Sequence, residues 1–310
     1  MMTGQNDDSS GALQGVDLTL VRDGDVTEQD VGYTTRLFLQ TLFPYRQQEV
    51  DKIVRQSGPL QVTAFSANGL PYGKYPRLIA IYLCTEAVKR RDLPEDEARR
   101  IPLGASMQQF LHDIGITGRA TGGKTGRLAI VHEQLRRLAA TTITVEKIYE
   151  PSSESARMNR ASIKNIGLFD SMDFWVTPNP DQLALSEPYL ELTAPFFREV
   201  TQNPIPLDLA IVKALGRPRA IDLYLWATLK KYSLTKTKRA FTLSWEQTQR
   251  QFGPEMPETP RGRADFKKEL ARTVERVQEA WPEAGLTVGP EGMTLAPGQP
   301  SIRPRRRSGM

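Results

Sequence analysis

Residues 76–89 read PRLIAIYLCTEAVK, and residues 218–231 read PRAIDLYLWATLKK. At an offset of 142 positions, the two stretches share Pro, Arg, Ile, Tyr, Leu and Lys at matched places. Both have the apolar spacing that is typical of a buried helix. Six matches in fourteen positions can arise by chance between two such helices, so the evidence for a repeat depends on the residues that follow.

The residues after the two helices repeat one order of predicted elements. Each copy continues with a short strand (101–103; 241–243), a glutamine-bearing helix (106–114; 244–252), a Gly/Pro-rich turn, a basic helix (127–139; 261–280) and an alternating β-branched segment that predicts a hairpin (142–149; 286–295). This is the order of a winged helix, a helix-turn-helix variant whose last helix enters the DNA major groove. The repeat therefore predicts an α+β fold, predominantly α, with two tandem winged-helix domains and small antiparallel wings.

The composition excludes several classes of protein. A chain of 310 residues can form two domains of ordinary size. Its one cysteine, Cys84, lies in an apolar helical stretch, which excludes a disulfide framework and a zinc site built on cysteines. No apolar stretch approaches the ~18 residues of a membrane span, and residues 1–10 lack a secretory pattern. The sequence thus predicts a cytoplasmic protein without a membrane partner.

Positive charge is concentrated in the two predicted modules. Residues 33–150 carry 17 basic and 11 acidic residues, and residues 201–310 carry 19 and 11, which gives net charges of +6 and +8. The first 32 residues and the connector 151–200 have net charges of −6 and −3. Double-stranded DNA requires a basic partner surface, because binding releases condensed counterions. A solvated surface rich in Lys and Arg has the same composition, so both interpretations stay open.

Changes in composition predict the domain organisation. Residues 1–32, which are acidic and lack apolar periodicity, predict a disordered leader. An N-terminal winged-helix domain is predicted at 33–193 and a C-terminal one at 194–297. Residues 298–310 predict a disordered basic tail that lies along phosphates, although an inert solubilising tail has the same composition.

Further elements are predicted outside the repeat. A helical pattern begins at Tyr33, is broken by Pro44 and resumes through Ile53, and residues 61–65 predict a strand. Polar residues 151–163 predict a mobile excursion of the first wing. The remaining predictions are strands at 164–169, 173–177 and 187–193, a helix at 195–203, and a helix at 206–216 with Pro206 in its first turn.

Residues 118–125, GRATGGKT, match the phosphate-loop pattern G-x-x-x-x-G-K-[ST] letter for letter. A true phosphate loop leaves a buried strand, whereas the apolar residues of 107–114 are spaced for a helix. No later apolar run ends in an Asp suited to hold magnesium. We therefore interpret 118–125 as a glycine-rich turn that approaches the DNA backbone, with a nucleotide site as the alternative.

No catalytic motif accompanies these features. The two histidines, His112 and His132, lie on predicted helices, and no H-x-H, H-E-x-x-H or G-x-S-x-G pattern occurs. Asp170 and Asp173 lie in a strand–turn context, where a solvated turn is the commoner explanation. The sequence predicts that the protein is not an enzyme and has no catalytic residues, cofactor or metal site.

Three stretches resemble the RepA family of plasmid replication initiators. They are GLPYGKYPR at 69–77, the helix LIAIYLCTEAVKRR that follows, and FLHDIGITGRATGGKTGRLAIVHEQLRRLAATTITV at 110–145. The resemblance covers residues 33–296, and the combination of PYGxxPR with TGGKxG is fairly specific.

The resemblance implies a bacterial protein that binds direct repeats, or iterons, at a plasmid origin and helps to open the duplex. It implies recruitment of the host replication initiator and helicase. Related iteron initiators consist of two winged helices. Monomers bind iterons, and homodimers in equilibrium with them, joined through the N-terminal winged helix, often repress their own gene.

Basic residues on and beside the predicted recognition helices are the candidates for DNA contact. A helix that enters the groove by its N-terminal end places Arg261 and Arg263 nearest the bases. Thr125 is the predicted N-cap of the first module's helix. The full set is Arg119, Lys124, Thr125, Arg127, Arg136, Arg137, Lys236, Lys238, Arg239, Arg261, Arg263, Lys267, Lys268 and Arg272. For each of them a solvated helix face is the alternative. We predict base recognition by the second module, and backbone contacts and self-association by the first.

Two other functions remain open. One is a transcriptional repressor with the same fold and no role in replication, and the other is an ATP-dependent enzyme that uses residues 118–125. Direct repeats of about 20 base pairs beside the gene, equal to two helical turns, would favour the initiator. ATP binding would favour the enzyme.

Overall fold

The computed structural model describes residues 30–57, 59–116, 126–149, 160–174 and 188–302. The helices are α1 (Arg36–Thr41), α2 (Lys74–Lys89), α3 (Glu95–Ala98), α4 (Met107–Asp113), α5 (Arg127–Ala139), α6 (Ala194–Gln202), α7 (Leu209–Leu215), α8 (Pro218–Thr237), α9 (Trp245–Phe252) and α10 (Pro260–Ala280). The strands are β1 (Val31–Thr34), β2 (Lys52–Ser57), β3 (Leu60–Ser66), β4 (Arg100–Pro102), β5 (Thr141–Tyr149), β6 (Arg160–Gly167), β7 (Phe169–Asp173), β8 (Tyr189–Leu192), β9 (Ile205–Asp208), β10 (Phe241–Ser244), β11 (Leu286–Val288) and β12 (Gly292–Leu295).

The described chain divides into two compact units. Unit 1 contains Thr34–Pro204, and unit 2 contains the residues from Ile205 onward together with those just before Thr34. The division falls later than the boundary at 193/194 that the sequence suggested, because α6 packs in unit 1. Its apolar side chains Phe196 and Val200 are buried, and the helix lies against α2.

The helices of the repeat form at the places that periodicity predicts. The pairs α2 and α8, α4 and α9, and α5 and α10 agree with the predicted bounds within a few residues, apart from the longer C-terminal end of α8. The glutamine-bearing helices α4 and α9 begin in the same way in both units. Ser106 Oγ accepts a hydrogen bond from Gln109 N at 3.3 Å, and Ser244 Oγ accepts one from Gln247 N at 3.2 Å. Each serine thus satisfies one of the unpaired N–H groups of a helix start.

The arginine shared by the two repeated helices has a structural role in both. Arg77 is 5% exposed and donates to the carbonyl oxygens of Gly73 at 2.6 Å and Phe43 at 2.5 Å. Arg219 is 8% exposed, donates to the carbonyl of Phe252 at 2.7 Å and forms an ion pair with Glu269. Buried charged groups require such partners, so this sequence match reflects packing.

Unit 2 combines a helical core with a three-stranded antiparallel sheet. The elements follow the order α8, β10, α9, α10, β11, β12, and the strands lie in the order β10-β12-β11. The buried side chains of Phe266, Leu270 and Val277 face inward from α10, which packs against α8. A separate two-stranded sheet pairs β1 with β9.

Unit 1 contains two sheets, and its sheet pairing differs from the sequence prediction. The strand β5 does not close the repeat as a wing. It pairs along its length with β3 and β6, in a four-stranded sheet of order β2-β3-β5-β6. The ladder with β3 places Ile143 opposite Ala64, and both side chains are buried. The seven-residue strand β3 offers a longer apolar partner than the three-residue β4.

The second sheet of unit 1 has the strand order β4-β8-β7. This matches the order β10-β12-β11 of unit 2, so β7 and β8 take the places that β11 and β12 have there. The hairpin β5–β6 is an addition between the basic helix and this sheet. Most of the predicted mobile excursion, residues 151–159, lies outside the described residues, whereas 160–163 belong to β6.

Three further predictions differ from the structure because long-range pairing overrides the local pattern. Residues 52–57 form β2 and pair with β3, where the sequence predicted a resumed helix. Pro206 lies in β9, and α7 begins only after Asp208, whose carboxylate accepts hydrogen bonds from Ala210 N at 2.9 Å and Ile211 N at 3.3 Å. Of the predicted strand 173–177, Asp173 ends β7 and Phe174 follows without regular structure, and residues 175–177 lie outside the described residues.

The chain stays ordered beyond the predicted start of the tail. Ser301 Oγ lies 2.6 Å from the hydroxyl of Tyr224, and Tyr232 donates to the carbonyl of Ile302 at 3.1 Å. The side chain of Ile302 is fully buried. Residues 303–310, like 1–29 of the predicted leader, lie outside the described residues. No helix in the described parts of the chain is long and apolar enough to cross a bilayer.

Candidate nucleic-acid interface

Helix α10 separates an apolar buried side from a basic exposed side. It begins at the N-cap Thr259, whose hydroxyl accepts a hydrogen bond from Gly262 N at 3.1 Å. The predicted contact residues of this helix are all exposed, namely Arg261, Arg263, Lys267, Lys268 and Arg272. They lie within its first thirteen residues, whereas Glu275, Arg276 and Glu279 follow in its last turns. Positive charge is therefore greatest at the N-terminal half of α10.

A glycine at the start of α10 sets how closely the preceding turn packs. A Cβ atom at Gly262 would collide with the carbonyl oxygen of Pro257. The turn between α9 and α10 therefore packs directly against the backbone of the first helical turn. Gly262 is buried against Pro257 in this contact, whereas Arg261 and Arg263 on either side of it are exposed. This arrangement leaves both guanidinium groups available at the helix end that the sequence predicts to meet the bases.

The end of α8 supplies two more exposed cations. Lys238 adopts a left-handed conformation with φ of 54° and closes the helix through its N–H, which donates to Leu234 O at 2.8 Å. Lys238 and Arg239 are both exposed and lead directly into β10. Lys236 lies in the last turn of α8. The predicted basic run is thus a helix end followed by the edge of the three-stranded sheet.

The corresponding helix of unit 1 has fewer exposed cations. Arg136 is exposed, and Arg127 is half-buried in the first turn of α5. Arg119, Lys124 and Thr125 lie outside the described residues. The N-cap position of α5 is occupied by Gly126, one residue after the predicted Thr125. The segment upstream is helix α4, as its periodicity predicts, and not the strand that precedes a phosphate loop.

Arg137 is held inside unit 1. It is 9% exposed, and its guanidinium donates to Leu70 O at 3.0 Å and to Glu133 Oε1 at 2.8 Å. The guanidinium also lies 5.2 Å from the ring centre of Tyr72. Because these partners occupy the group, we leave Arg137 out of the proposed DNA interface. Sequence alone could not separate it from Arg136, since burial depends on the neighbours that the fold supplies.

We expect Arg137→Ala to destabilise the fold and Arg136→Ala to leave it intact. Loss of two hydrogen bonds and buried packing should lower the free energy of unfolding by about 2–3 kcal/mol. The exposed neighbour should change it by less than about 0.5 kcal/mol. Urea unfolding followed by circular dichroism measures both. An Arg137→Ala protein of unchanged stability but impaired DNA binding would restore the original prediction.

Burial shifts the pKa values of two other titratable side chains. Burial raises the pKa of the Cys84 thiol, which keeps it protonated and unreactive at neutral pH. Burial, and secondly the charge of Arg136, lowers the pKa of His132, whose ring lies 5.7 Å from that of Phe174. Within the described residues, no group of three or more His, Cys, Asp or Glu side chains could hold a metal ion.

Comparison with protein families gives a match over more than half of the chain. The model of the plasmid encoded RepA protein family matches residues 70–247. The chain belongs to this family. The match confirms the resemblance to the RepA family of plasmid replication initiators that the sequence shows. A comparison with curated protein sequences finds no match.

Two solved structures resemble this RepA-family protein in fold. Both contain domains 2 and 3 of RctB, and one of them is a selenomethionine derivative. Each has 12% sequence identity and a TM-score of 0.50, and the matches cover 86% and 84% of this chain and 96% of each RctB chain. The likeness concerns the fold, a mixed α/β arrangement with small antiparallel sheets.

One residue beside the basic helix of this RepA-family protein was not predicted from the sequence. Trp245, the first residue of α9, is half-exposed, and the ammonium group of Lys267 lies 4.6 Å from its ring centre. The available signal was a large aromatic residue between the cap Ser244 and the polar residues of a short helix. Such a position is unusual for a side chain that serves only as core.

Proposed function

We propose that this protein is a plasmid replication initiator that binds direct repeats at the plasmid origin through two winged helices. The observation that carries the proposal is the set of five exposed cations in the first thirteen residues of α10, a helix that packs against α8 and a three-stranded sheet. In a winged helix this element is the one that enters the major groove. Membership of the RepA family supports the replication role.

In this proposal the two units make different contacts with DNA. Unit 2 reads base edges through Arg261 and Arg263, while Lys267, Lys268 and Arg272 neutralise phosphates. Unit 1, with the exposed Arg136 on its basic helix, contributes backbone contacts. The resemblance to iteron initiators supports a homodimer formed through unit 1 in equilibrium with an origin-binding monomer, repression of its own gene, and recruitment of the host initiator and helicase. The protein then acts in the cytoplasm, without catalysis of its own.

Selection of bound duplexes from random-sequence DNA, followed by footprinting, tests the binding step. We expect one motif, repeated in tandem beside the gene at about two helical turns per repeat. A plasmid whose copy of the gene carries Arg261→Ala and Arg263→Ala should fail to be maintained. If maintenance persists while the selected motif controls only the gene's promoter, the protein is a repressor without a replication role.

Lys124→Ala separates DNA binding from nucleotide binding. We expect the substitution to weaken DNA binding modestly, because it removes one positive charge from a basic segment, and to leave nucleotide affinity undetectable in both proteins. Isothermal calorimetry with ATP and magnesium measures the second quantity, with Lys213→Ala on the exposed surface of α7 as a matched control for charge. Tight magnesium-dependent ATP binding that only Lys124→Ala abolishes would establish the enzyme alternative.

A further inference from the structure

We infer that Trp245 is a positioning residue for DNA recognition, which ties the turn between β11 and β12 to the basic helix α10. The indole N–H of Trp245 donates to the carbonyl oxygen of Pro290 at 2.8 Å. The ammonium nitrogen of Lys267 lies 4.6 Å from the centre of the same ring. The Trp245 ring also packs edge-on against the ring of Phe266, with 6.5 Å between their centroids. One side chain of α9 thus contacts both elements that a winged helix presents to DNA. The inference rests on the proposed function.

The residue itself is held firmly at the start of α9. Ser244 Oγ accepts from Gln247 N at 3.2 Å, and Gln247 Oε1 accepts from Ser244 N at 2.9 Å. This reciprocal capping box fixes the backbone just before Trp245. This capped backbone and the edge-on contact with Phe266 together hold the indole in place, so its N–H positions the turn.

The turn that Trp245 holds is short and closely packed at its base. Gly289 N donates to Gly292 O at 2.8 Å, which leaves only Pro290 and Glu291 at the tip. A Cβ atom at Gly292 would collide with the carbonyl oxygen of Leu243, so the base of the hairpin lies directly on β10. Contacts at both its base and its tip therefore join the hairpin to β10 and, through Trp245, to the side chains of α10.

The charge of the tip explains why such a link is needed. Its one ionised side chain is the carboxylate of Glu291, which phosphates repel. Electrostatic attraction therefore cannot orient the tip on DNA, and intramolecular contacts must do so. The ring also restrains Lys267, which lowers the entropy that this long side chain loses when it meets a phosphate.

The two units differ at this position. The residue after the matched cap Ser106 in unit 1 is Met107, which is 1% exposed and belongs to the core. Only unit 2 has the half-exposed tryptophan between helix and turn among the described residues. This difference supports the assignment of base recognition to unit 2.

The test compares Trp245→Phe with Pro290→Ala in the full-length chain, on a duplex selected by the wild-type protein. Trp245→Phe keeps an aromatic ring but removes the N–H group that donates to residue 290. Pro290→Ala keeps the backbone carbonyl that accepts this hydrogen bond. We expect Trp245→Phe to bind about five- to tenfold more weakly, the loss that one net hydrogen bond corresponds to. Hydroxyl-radical footprinting should show lost protection on the side of the turn and retained protection by α10. Pro290→Ala should bind as the wild type does.

A second variant leaves Trp245 in place. Insertion of two glycines between Pro290 and Glu291 lengthens the turn, breaks the link and should reproduce the footprint of Trp245→Phe, with thermal unfolding unchanged. Wild-type footprints from both variants would overturn the inference while leaving the proposed function intact. Failure of the wild-type chain itself to select any duplex would instead overturn the proposed function.

Discussion

The affinity of the protein for its duplex should fall by about 10³-fold or more between 50 and 200 mM salt. The cations assigned to phosphates provide about six contacts, namely Lys267, Lys268 and Arg272 on α10, Lys238 and Arg239 at the end of α8, and Arg136 in unit 1. Each neutralised phosphate releases condensed counterions, so the slope of log affinity against log salt should be about −5. Fluorescence anisotropy of a labelled duplex over a series of salt concentrations measures this slope.

A variant that lacks three of these positive charges shows which side chains produce the slope. Combined replacement of Lys267, Lys268 and Arg272 by glutamine should reduce its magnitude by about three, because each cation contributes close to one. Lys213→Gln, on the exposed surface of α7 in the same unit, is the matched control and should leave the slope unchanged. A flat salt response of the wild-type protein would contradict the proposed interface.

Arg263→Ala should weaken binding to the selected duplex by about 1–3 kcal/mol and relax base preference at one or two positions. The reason is that an arginine fork donates two parallel hydrogen bonds to the O6 and N7 acceptors of guanine, and alanine donates none. Arg263 lies in the first helical turn, where it is exposed beside the buried Gly262.

Arg136→Ala supplies the comparison from unit 1. A phosphate contact carries no sequence information, so this change should weaken binding to all duplexes alike. Selection on randomised sites with both variants measures the two effects. The assignment of roles is wrong if Arg263→Ala leaves the selected motif unchanged while Arg136→Ala alters it.

The helices of this protein were predictable because their signals are local. Apolar spacing within α2 and α8, and a serine followed three residues later by glutamine at α4 and α9, are each contained in a few consecutive residues. Such patterns depend on helical geometry and on unpaired N–H groups at helix starts, and neither needs a distant partner. The basic helix α10 and the family resemblance also followed from the sequence.

Strand pairing could not be predicted in the same way. The segment Thr141–Tyr149 has the alternation of a strand, but alternation does not tell which strand lies beside it. It pairs with the longer strand β3, and in unit 1 the strands β7 and β8 take the places that β11 and β12 have in unit 2. The same long-range pairing turned residues 52–57 into a strand, against a local pattern that favoured a helix.

The sequence by itself thus determined the repeated helices and the positive charge of the modules. Tertiary structure alone decided the sheet partners and which cations remain at the surface. Arg136 and Arg137 are chemically identical neighbours, yet one is exposed and the other is enclosed by Leu70, Glu133 and Tyr72. A guanidinium carries the same charge in both settings, and only neighbours brought from distant parts of the chain fix whether it stays exposed or donates to the protein's own carbonyls.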